Sequence, residues 1–360
     1  MVIHESNIAL GRKAQRALRA WTLAVLVPWG LLMGFSGCRA SGAELAGLSG
    51  PPTVRGPIPT RILQPASLIF PSPRPRRGAL LERGEARVAA EVFYSSIFER
   101  KVAGFDAADF DGEIARGSLM LSYGATDDLE VVIEPSVLFA HSGFLDRIVD
   151  EFHAFSGFSG GGRESYPRNR YSMRLERNGV TAYELREEEA LFGDLPISFV
   201  SRVRDEDADG PALAARLTVE LPTGNEADGS GSGGIDVAAG VSMERSLGRW
   251  TFFGGADGML VDQPERFQDA GIDVRSVFFA NGGLEYRWNR HVSLLGQAVL
   301  QMPLTRDLTF EEIDREILDL GFGLAFDVSK DGVLTLTFHE DAVAASGPDV
   351  TVYAGLVFRF

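Results

Sequence analysis

Residues 351–360 read TVYAGLVFRF, and this stretch places two kinds of side chain on alternate positions. The apolar series is Val352, Ala354, Leu356, Phe358 and Phe360, and the mixed series is Thr351, Tyr353, Gly355, Val357 and Arg359. Successive side chains of a strand point to opposite faces, so the stretch predicts a strand with one apolar face. An aromatic end beside Arg359 also differs from the polar ends of most soluble chains. The fold class therefore depends on whether this strand pattern recurs.

The same two-residue period recurs along the chain from Ala86 onward. In residues 213–221, for example, leucine, alanine and valine alternate with Arg216, Thr218 and Glu220. About fourteen such segments can be recognised, most of them near the roughly 9–11 residues that a tilted strand needs to cross a bilayer. The sequence therefore predicts an all-β, transmembrane, antiparallel up-and-down barrel of about fourteen strands.

Two of these segments leave a second strand count open. The segments around Met173 and Tyr183 are short for spanning a bilayer, and Asn178-Gly179 between them is a strong hairpin signal. The alternative is a barrel of about twelve strands, in which this hairpin projects from a long loop.

The connections between the segments alternate in length. Short connections are expected at 124–128, 177–180, 205–210, 246–249, 288–291 and 329–332. Longer connections are expected at 101–111, 140–168, 187–193, 222–234, 262–273, 304–312 and 342–348. Outer-membrane barrels have short periplasmic turns and long outer loops, and aromatic side chains gather at their membrane interfaces. The aromatics expected at the short-turn end are Tyr123, Trp250, Tyr286, Trp288, Phe358 and Phe360.

Residues 1–42 have the features of an export signal. Arg12, Lys13, Arg16 and Arg19 precede the apolar run 21–35, and small residues follow from Ala40. A permanent anchor is the alternative, and Cys38 resembles a lipoprotein processing site. Cleavage after Gly42 removes five basic residues and one acidic residue and the only cysteine, so the net charge moves from −15 to −19. The mature chain then has no disulfide, and its charge argues against a nucleic-acid partner.

Residues 43–83 form a separate proline- and arginine-rich segment before the barrel, which we assign to residues 84–360. Eight of the 17 prolines and five arginines lie between Pro51 and Leu81, without an acid. This composition favours an extended chain outside a sheet, and a linker is the preferred interpretation. Its apolar residues leave open that it docks against or inside the barrel.

Several longer stretches resemble a family of proteobacterial outer-membrane proteins catalogued only as a domain of unknown function. The stretches are RGPIPTRILQP, EIARGSLMLSYGATDDLEVVIEP, HSGFLDRIVDEFHAFSGF, LFGDLPIS, VELPTGNEADGSGSGG and VFRF, within residues 56–360. The Gly193-Asp194 and Leu221-Pro222-Thr223-Gly224 elements also look like those of barrels implicated in passage of hydrophobic compounds. The resemblance implies an outer-membrane barrel and assigns no functional residues.

Three patterns in the sequence are candidate chemical sites. His291 and Ser293 share one strand face, but they lie at a predicted turn without the rest of a lipase motif. Asp205, Asp207 and Asp209 match the start of a calcium loop, whose closing acid is replaced by Arg216. A solvated turn is the preferred interpretation of both, and no enzyme activity, cofactor or metal site is expected. His141 and His153 have no third donor at ligand spacing.

The longest loop contains GFLDRIVDEFHAF, whose apolar residues have helical spacing. We predict a short helix here that either folds into the lumen or packs outside on neighbouring loops. The residues of the candidate constriction are Phe144, Leu145, Ile148 and Phe152. The predicted lumen-lining residues are Arg174, Glu176, Arg202, Arg216, Glu220, Glu285, Arg287, Asp319 and Arg359. Mixed charge of this kind fits either a wet channel or a filled, ion-paired interior.

The sequence favours a passive channel for small, including hydrophobic, solutes in the cell outer membrane of a Gram-negative bacterium. The alternative is a non-conducting barrel with a structural, adhesion or envelope-integrity role. The expected partners are outer-membrane lipids, the barrel-assembly machinery through Phe360, and an unidentified small solute.

Overall fold

A computed structural model of the protein describes residues 54–156, 162–187, 189–305, 308–310, 314–342 and 347–360. Residues 1–42, with Cys38, lie outside this part of the chain. The strands are β1 (Ala86–Ala103), β2 (Asp106–Thr126), β3 (Leu129–Ile133), β4 (Ser136–His141), β5 (Ser172–Arg177), β6 (Val180–Glu184), β7 (Leu191–Phe192), β8 (Leu195–Arg204), β9 (Ala212–Leu221), β10 (Asp236–Leu247), β11 (Trp250–Leu260), β12 (Val277–Arg287), β13 (Val292–Gln301), β14 (Ile317–Asp327), β15 (Gly332–Asp341) and β16 (Val350–Arg359). The helices are α1 (Asp146–Ser156) and α2 (Glu265–Asp269). None of the described helices is both long and apolar enough to cross a membrane.

The strands close into one antiparallel barrel. Consecutive strands pair with each other from β8 through β16, and β1 closes the sheet by pairing with both β16 and β2. β3 and β4 both pair with β2 and together occupy one position, interrupted at Pro135. β7 and β8 share the next position, because they pair with β4 and β3 respectively. The described residues thus form a 12-strand barrel.

The hairpin of β5 and β6 explains why the count of fourteen strands is wrong and the twelve-strand alternative is right. Asn178 and Gly179 both have positive φ, 54° and 76°, as a two-residue hairpin turn requires. The hairpin does not enter the closed sheet, because β5 pairs with Ala107–Asp111 of β2, beyond the part that pairs with β4. The long loop expected at 101–111 is instead a two-residue turn at Gly104-Phe105, because β1 and β2 remain paired up to that turn.

The barrel wall carries apolar side chains outside and a mixture of polar and apolar side chains inside. On β16, Thr351 and Tyr353 are buried while Val352 is exposed, and Thr351 Oγ1 lies 2.6 Å from Ser95 Oγ inside the barrel. The same alternation exposes a set of outward residues that includes Val92, Leu119, Phe199, Leu217, Val241, Leu284, Leu294, Phe322 and Leu336. This arrangement is the reverse of a water-soluble sandwich, which buries its large apolar residues between sheets.

The two ends of the barrel differ. At one end, which we call the short-turn end, the connections are 127–128, 205–211, 248–249, 288–291 and 328–331. The other end, the long-loop end, carries α1, α2, the hairpin and the longer connections. Tyr286 at the short-turn end lies with its ring 4.6 Å from that of Trp250 and 6.4 Å from that of Trp288. An aromatic group therefore sits outside the barrel at this end, as expected.

Candidate functional site: a filled barrel interior

Residues 54–81, which we call the plug, follow a U-shaped path inside the barrel. The first arm runs along β13 from the short-turn end, where Gln297 Nε2 donates to the Ile58 carbonyl oxygen at 2.8 Å. Ile58 packs on Leu295, and farther along Ile62 packs on Val299. Because these partners are successive inward positions of one strand, this arm of the plug follows the wall toward the long-loop end.

The plug turns at the long-loop end. A short 3₁₀ helix forms at Pro65–Ser67, and Gln64 Oε1 accepts the Ser67 N–H at 3.0 Å. Phe70 follows the turn and meets Phe267 of α2 edge-on, with ring centroids 6.0 Å apart. The tip belongs to the largest apolar cluster, whose members include Leu63, Ile69, Phe93, Phe110, Met173, Leu175, Ile272 and Phe279. The tip of the plug is therefore held by an apolar core under the long loops.

The two arms of the plug are held mainly by arginines. The ion pairs join Arg55 to Asp327 and Glu285, Arg61 to Glu134, Arg74 to Glu91 and Glu134, Arg76 to Glu130, and Arg77 to Glu244. All five arginines between Pro51 and Leu81 are thus paired with wall carboxylates. Buried ion pairs contribute little net stability, but removal of one partner leaves a charge away from water. The pairs therefore fix where the plug sits more than they stabilise it.

The second arm returns to the short-turn end in close contact with the wall. A Cβ on Gly78 would lie 2.5 Å from the Ala212 carbonyl oxygen, so glycine is needed for this approach. The Leu81 N–H donates to Glu130 Oε2 at 3.2 Å, and the Gly84 N–H donates to the Gly124 carbonyl oxygen at 2.8 Å. β1 begins two residues later.

The linker interpretation is therefore wrong for residues 54–81. These residues are largely buried and have no strand of their own in the described structure. Proline and the repeated arginines do keep the segment out of the sheet, as the composition predicts. The charges of these arginines are neutralised by carboxylates of the barrel wall and not by solvent.

The predicted lumen-lining residues separate into three groups. Inside the barrel lie Arg216, Glu220, Glu285, Arg287 and Asp319. Arg216 donates to Asp257 and, at 3.1 Å, to the Arg74 carbonyl oxygen of the plug. Glu285 accepts the N–H groups of Arg55 and Gly56 at 2.8 and 2.9 Å.

The other predicted lining residues lie outside the enclosed part of the lumen. Arg174 and Glu176 lie on the β5–β6 hairpin and pair with each other at 2.6 Å, so they are not part of the barrel lumen. Arg202 and Arg359 continue the inward series of β8 and β16 but lie at the short-turn rim, where Arg202 donates to the Asp127 carbonyl oxygen and Arg359 is exposed. The expectation fails at Arg174 and Glu176 because a strand outside the barrel can show the same alternation.

Most of the wall carboxylates that hold the plug are missing from the predicted set. They are Glu91, Glu130, Glu134, Glu244 and Asp327. A signal was present in the sequence: five arginines without a local acid require acidic partners elsewhere if they are buried. Their docking could thus have been inferred, although the pairing itself depends on strand register.

The lumen is not filled by the loop that the sequence suggested as a constriction. Glu113 Oε1 accepts the N–H groups of Phe144 and Leu145 at 2.7 and 2.5 Å, which fixes the start of the loop against β2. Phe144 and Ile148 are 64% and 59% exposed, and Leu145 is half-buried. The side chain of Phe152 lies outside the described residues. The interior is instead occupied by the plug.

The serine and acid patterns singled out in the sequence make local contacts. Ser293 donates to Glu285 at 2.6 Å, whereas His291 is exposed in a turn. Asp207 Oδ1 accepts the N–H groups of Asp209 and Gly210, both at 2.9 Å, so this acid closes its own turn. Among the described residues, no group of three or more His, Cys, Asp or Glu could hold a metal ion.

Two of the quoted motifs meet at the long-loop end. The Asp194 carboxylate accepts the N–H of Gly224 at 2.7 Å and the N–H of Ser232 at 2.8 Å, and Thr223 Oγ1 donates to the Gly193 carbonyl oxygen at 2.9 Å. LFGDLPIS and LPTGNEADGSGSGG therefore form one joint that ties the β9–β10 loop to the junction of β7 and β8.

The family described as "Protein of unknown function (DUF3187)" matches residues 49–360. The chain belongs to this DUF3187 family. The resemblance stated from the sequence motifs is thereby confirmed. No curated protein matches the sequence.

Three solved structures of outer-membrane proteins are similar to this chain to different degrees. An outer-membrane channel from Pseudomonas putida F1 has a TM-score of 0.53 at 16% identity, with 78% of this chain and 97% of that chain covered. The NanC porin has a TM-score of 0.45 at 8% identity, with 76% and 98% covered. The toluene transporter TbuX of Ralstonia pickettii has a TM-score of 0.37 at 10% identity, with 82% and 93% covered. The first of these supports a common fold with outer-membrane barrels.

Proposed function

We propose that this DUF3187 protein is an outer-membrane channel for small solutes, held closed by its plug. The exposed apolar wall and the aromatic group at the short-turn end support a membrane location, with that end in the periplasm. Export would use residues 1–42 as a cleaved signal. The fold shared with the channel from Pseudomonas putida supports the same location.

The observation that carries the channel proposal is that the plug adds no strand to the sheet in the described structure. Its arms contact the wall through side-chain ion pairs, single hydrogen bonds and a few apolar contacts. The plug can therefore leave without breaking the barrel ladder, and its departure would expose the wall carboxylates that now pair with its arginines. A barrel with only a structural role has no need for a lumen that can be emptied.

The filled lumen also supports a second candidate, a non-conducting barrel with a structural or adhesive role. In that case the plug is a permanent core, and the ion pairs serve only to position it. Hydrophobic solutes, which the channel proposal includes, would have to pass the apolar cluster at the long-loop end.

Current through planar bilayers tests the two candidates. We expect the full-length protein to conduct rarely and the variant Arg55→Gln/Arg74→Gln/Arg77→Gln to conduct more often, because three wall contacts of the plug are removed. The matched control is Arg83→Gln/Arg147→Gln/Arg186→Gln, which removes the same charge from arginines outside the plug contacts. Heat-modifiable gel mobility would show that each variant is folded. A folded plug variant without current would contradict the channel proposal.

A further inference from the structure

The plug arginines are seated on the wall in the geometry of specific guanidinium recognition. Arg77 donates from Nε and Nη2 to the two oxygens of Glu244 at 2.9 and 2.7 Å. Arg55 meets Asp327 in the same two-point manner at 2.7 and 2.6 Å. Parallel hydrogen bonds of this kind fit the planar fork of a guanidinium group and no spherical cation. The wall therefore contains shaped sites for guanidinium groups.

Apolar contacts lie between these charged sites. Ile58 follows Arg55 in the plug and packs on Leu295 and Ala325 of the wall. The interior is thus complementary to a chain in which cationic and apolar groups alternate. This is the chemistry of the plug itself.

Glu220 provides an independent observation. Its side chain is inside the barrel and only 6% exposed, yet its Oε2 has no hydrogen-bond partner among the described residues. A buried carboxylate oxygen without a donor is costly, so a donor from a ligand would be favourable there. The interior thus retains acceptor capacity that the plug does not use.

We propose that the interior binds amphipathic organic cations, in particular molecules with a guanidinium group, and that the plug occupies their site in the closed state. Transport of such a cation rests on the proposed channel function, whereas binding of the cation inside the barrel does not depend on it. Departure of the plug leaves the wall carboxylates without their arginines, so the open lumen attracts cations and repels anions. The plug is thus a competitor of the solute.

A pair of full-length variants separates a guanidinium site from simple loosening of the plug. Arg77→Gln and Glu244→Gln break the same ion pair from opposite sides. Arg77→Gln leaves the wall carboxylate free to bind a ligand, whereas Glu244→Gln removes it. The probe is argininamide, and its matched control is citrullinamide, which keeps the α-amino group and replaces the guanidinium by an uncharged ureido group of similar shape.

The first readout is equilibrium binding by calorimetry in detergent micelles, which needs no current. We expect Arg77→Gln to bind argininamide more tightly than Glu244→Gln, and neither variant to bind citrullinamide measurably. Equal affinity of the two variants, or equal binding of both probes, would overturn the proposal. Heat-modifiable gel mobility shows whether both variants are folded. If one of them does not fold, Arg55→Gln and Asp327→Asn provide a second pair of variants for the same comparison.

The second readout is the reversal potential in a KCl gradient. We expect currents through Arg77→Gln to be cation-selective and blocked by argininamide at lower concentration than currents through Glu244→Gln. Chloride selectivity would overturn the proposal while leaving a channel. Selective binding of argininamide without any current would instead support the binding site and contradict the channel function.

Discussion

Arg77 of the plug and Glu244 of β10 are 167 residues apart in the chain and form a two-point ion pair inside the barrel. The Arg77 side chain is 20% exposed and that of Glu244 is 3% exposed. The pair lies where the second arm of the plug approaches the short-turn end, beside Gly78. It therefore reports whether this arm is docked.

A double-mutant cycle on this pair should show strong coupling. Arg77→Gln or Glu244→Gln alone leaves one partner charged in the interior, and each should cost up to about 3 kcal/mol of unfolding free energy, below the fully buried range because Arg77 is partly exposed. The double variant should cost less than the sum of the singles, with a coupling of about 1–3 kcal/mol. Urea unfolding followed by tryptophan fluorescence measures all four proteins. Additive losses would mean that the pair is not formed.

Phe70 should anchor the tip of the plug. It is 4% exposed and meets Phe267, which is fully buried. Phe70→Ala should therefore lower the unfolding free energy by about 3–5 kcal/mol. Phe105→Ala is the matched control, because Phe105 is 82% exposed in the β1–β2 turn. Similar effects of the two substitutions would argue against a docked tip.

The two tryptophans of residues 54–360, Trp250 and Trp288, should lie at a membrane interface. Both are exposed on the outside of the barrel near the short-turn end. In reconstituted vesicles, lipids brominated close to the carbonyl groups should quench their fluorescence more than lipids brominated at the chain ends. Trp250→Phe then reports Trp288 alone. Equal quenching by both lipids, or none, would not fit an interfacial ring.

Glu206 should make stability depend on pH. Partial burial of its side chain in the β8–β9 turn raises the pKa of the Glu206 carboxyl above its ordinary value of 4.5, although the Ser246 N–H, 2.8 Å from Oε1, opposes the shift. A raised pKa means that the folded protein holds the proton more tightly than the unfolded chain does. The stabilising contribution is therefore complete below 4.5 and is lost as the pH rises through the folded pKa.

Glu206→Gln keeps an acceptor for the Ser246 N–H and cannot titrate. The wild type should therefore lose stability relative to this variant between about pH 4 and about pH 7. Urea midpoints of both proteins at the two pH values measure the difference. A difference that does not change with pH would contradict the assigned pKa direction.

The wall of the barrel was predictable because its signal is local. Alternation along 351–360 and 213–221 indicates which side chains face outward, and the loop lengths distinguish the short-turn end from the long-loop end. The strand count was less certain, since β5 alternates like a barrel strand. Whether such a segment joins the closed sheet depends on its partner, and β5 pairs with the part of β2 beyond the wall.

The filling of the lumen was not predictable in detail because it depends on contacts between distant residues. The arginines of the plug carry no periodic pattern, and their partners lie on β1, β3, β10, β12 and β14 and at Glu134. Glu91 and Glu244 look like any other inward polar residues of their strands. Composition indicated an extended segment, and only tertiary structure shows that it is inside.

The central claim is that residues 54–81 lie inside the barrel, and limited digestion with trypsin tests it most directly. In the folded protein we expect the bonds after Arg61, Arg76 and Arg77 to resist cleavage while the bond after exposed Arg83 is cut, because the first three are enclosed by the wall. After heat denaturation, mass spectrometry should find all four bonds cleaved. Rapid cleavage after Arg61 and Arg77 in the folded barrel would show that the segment lies outside and would contradict the account.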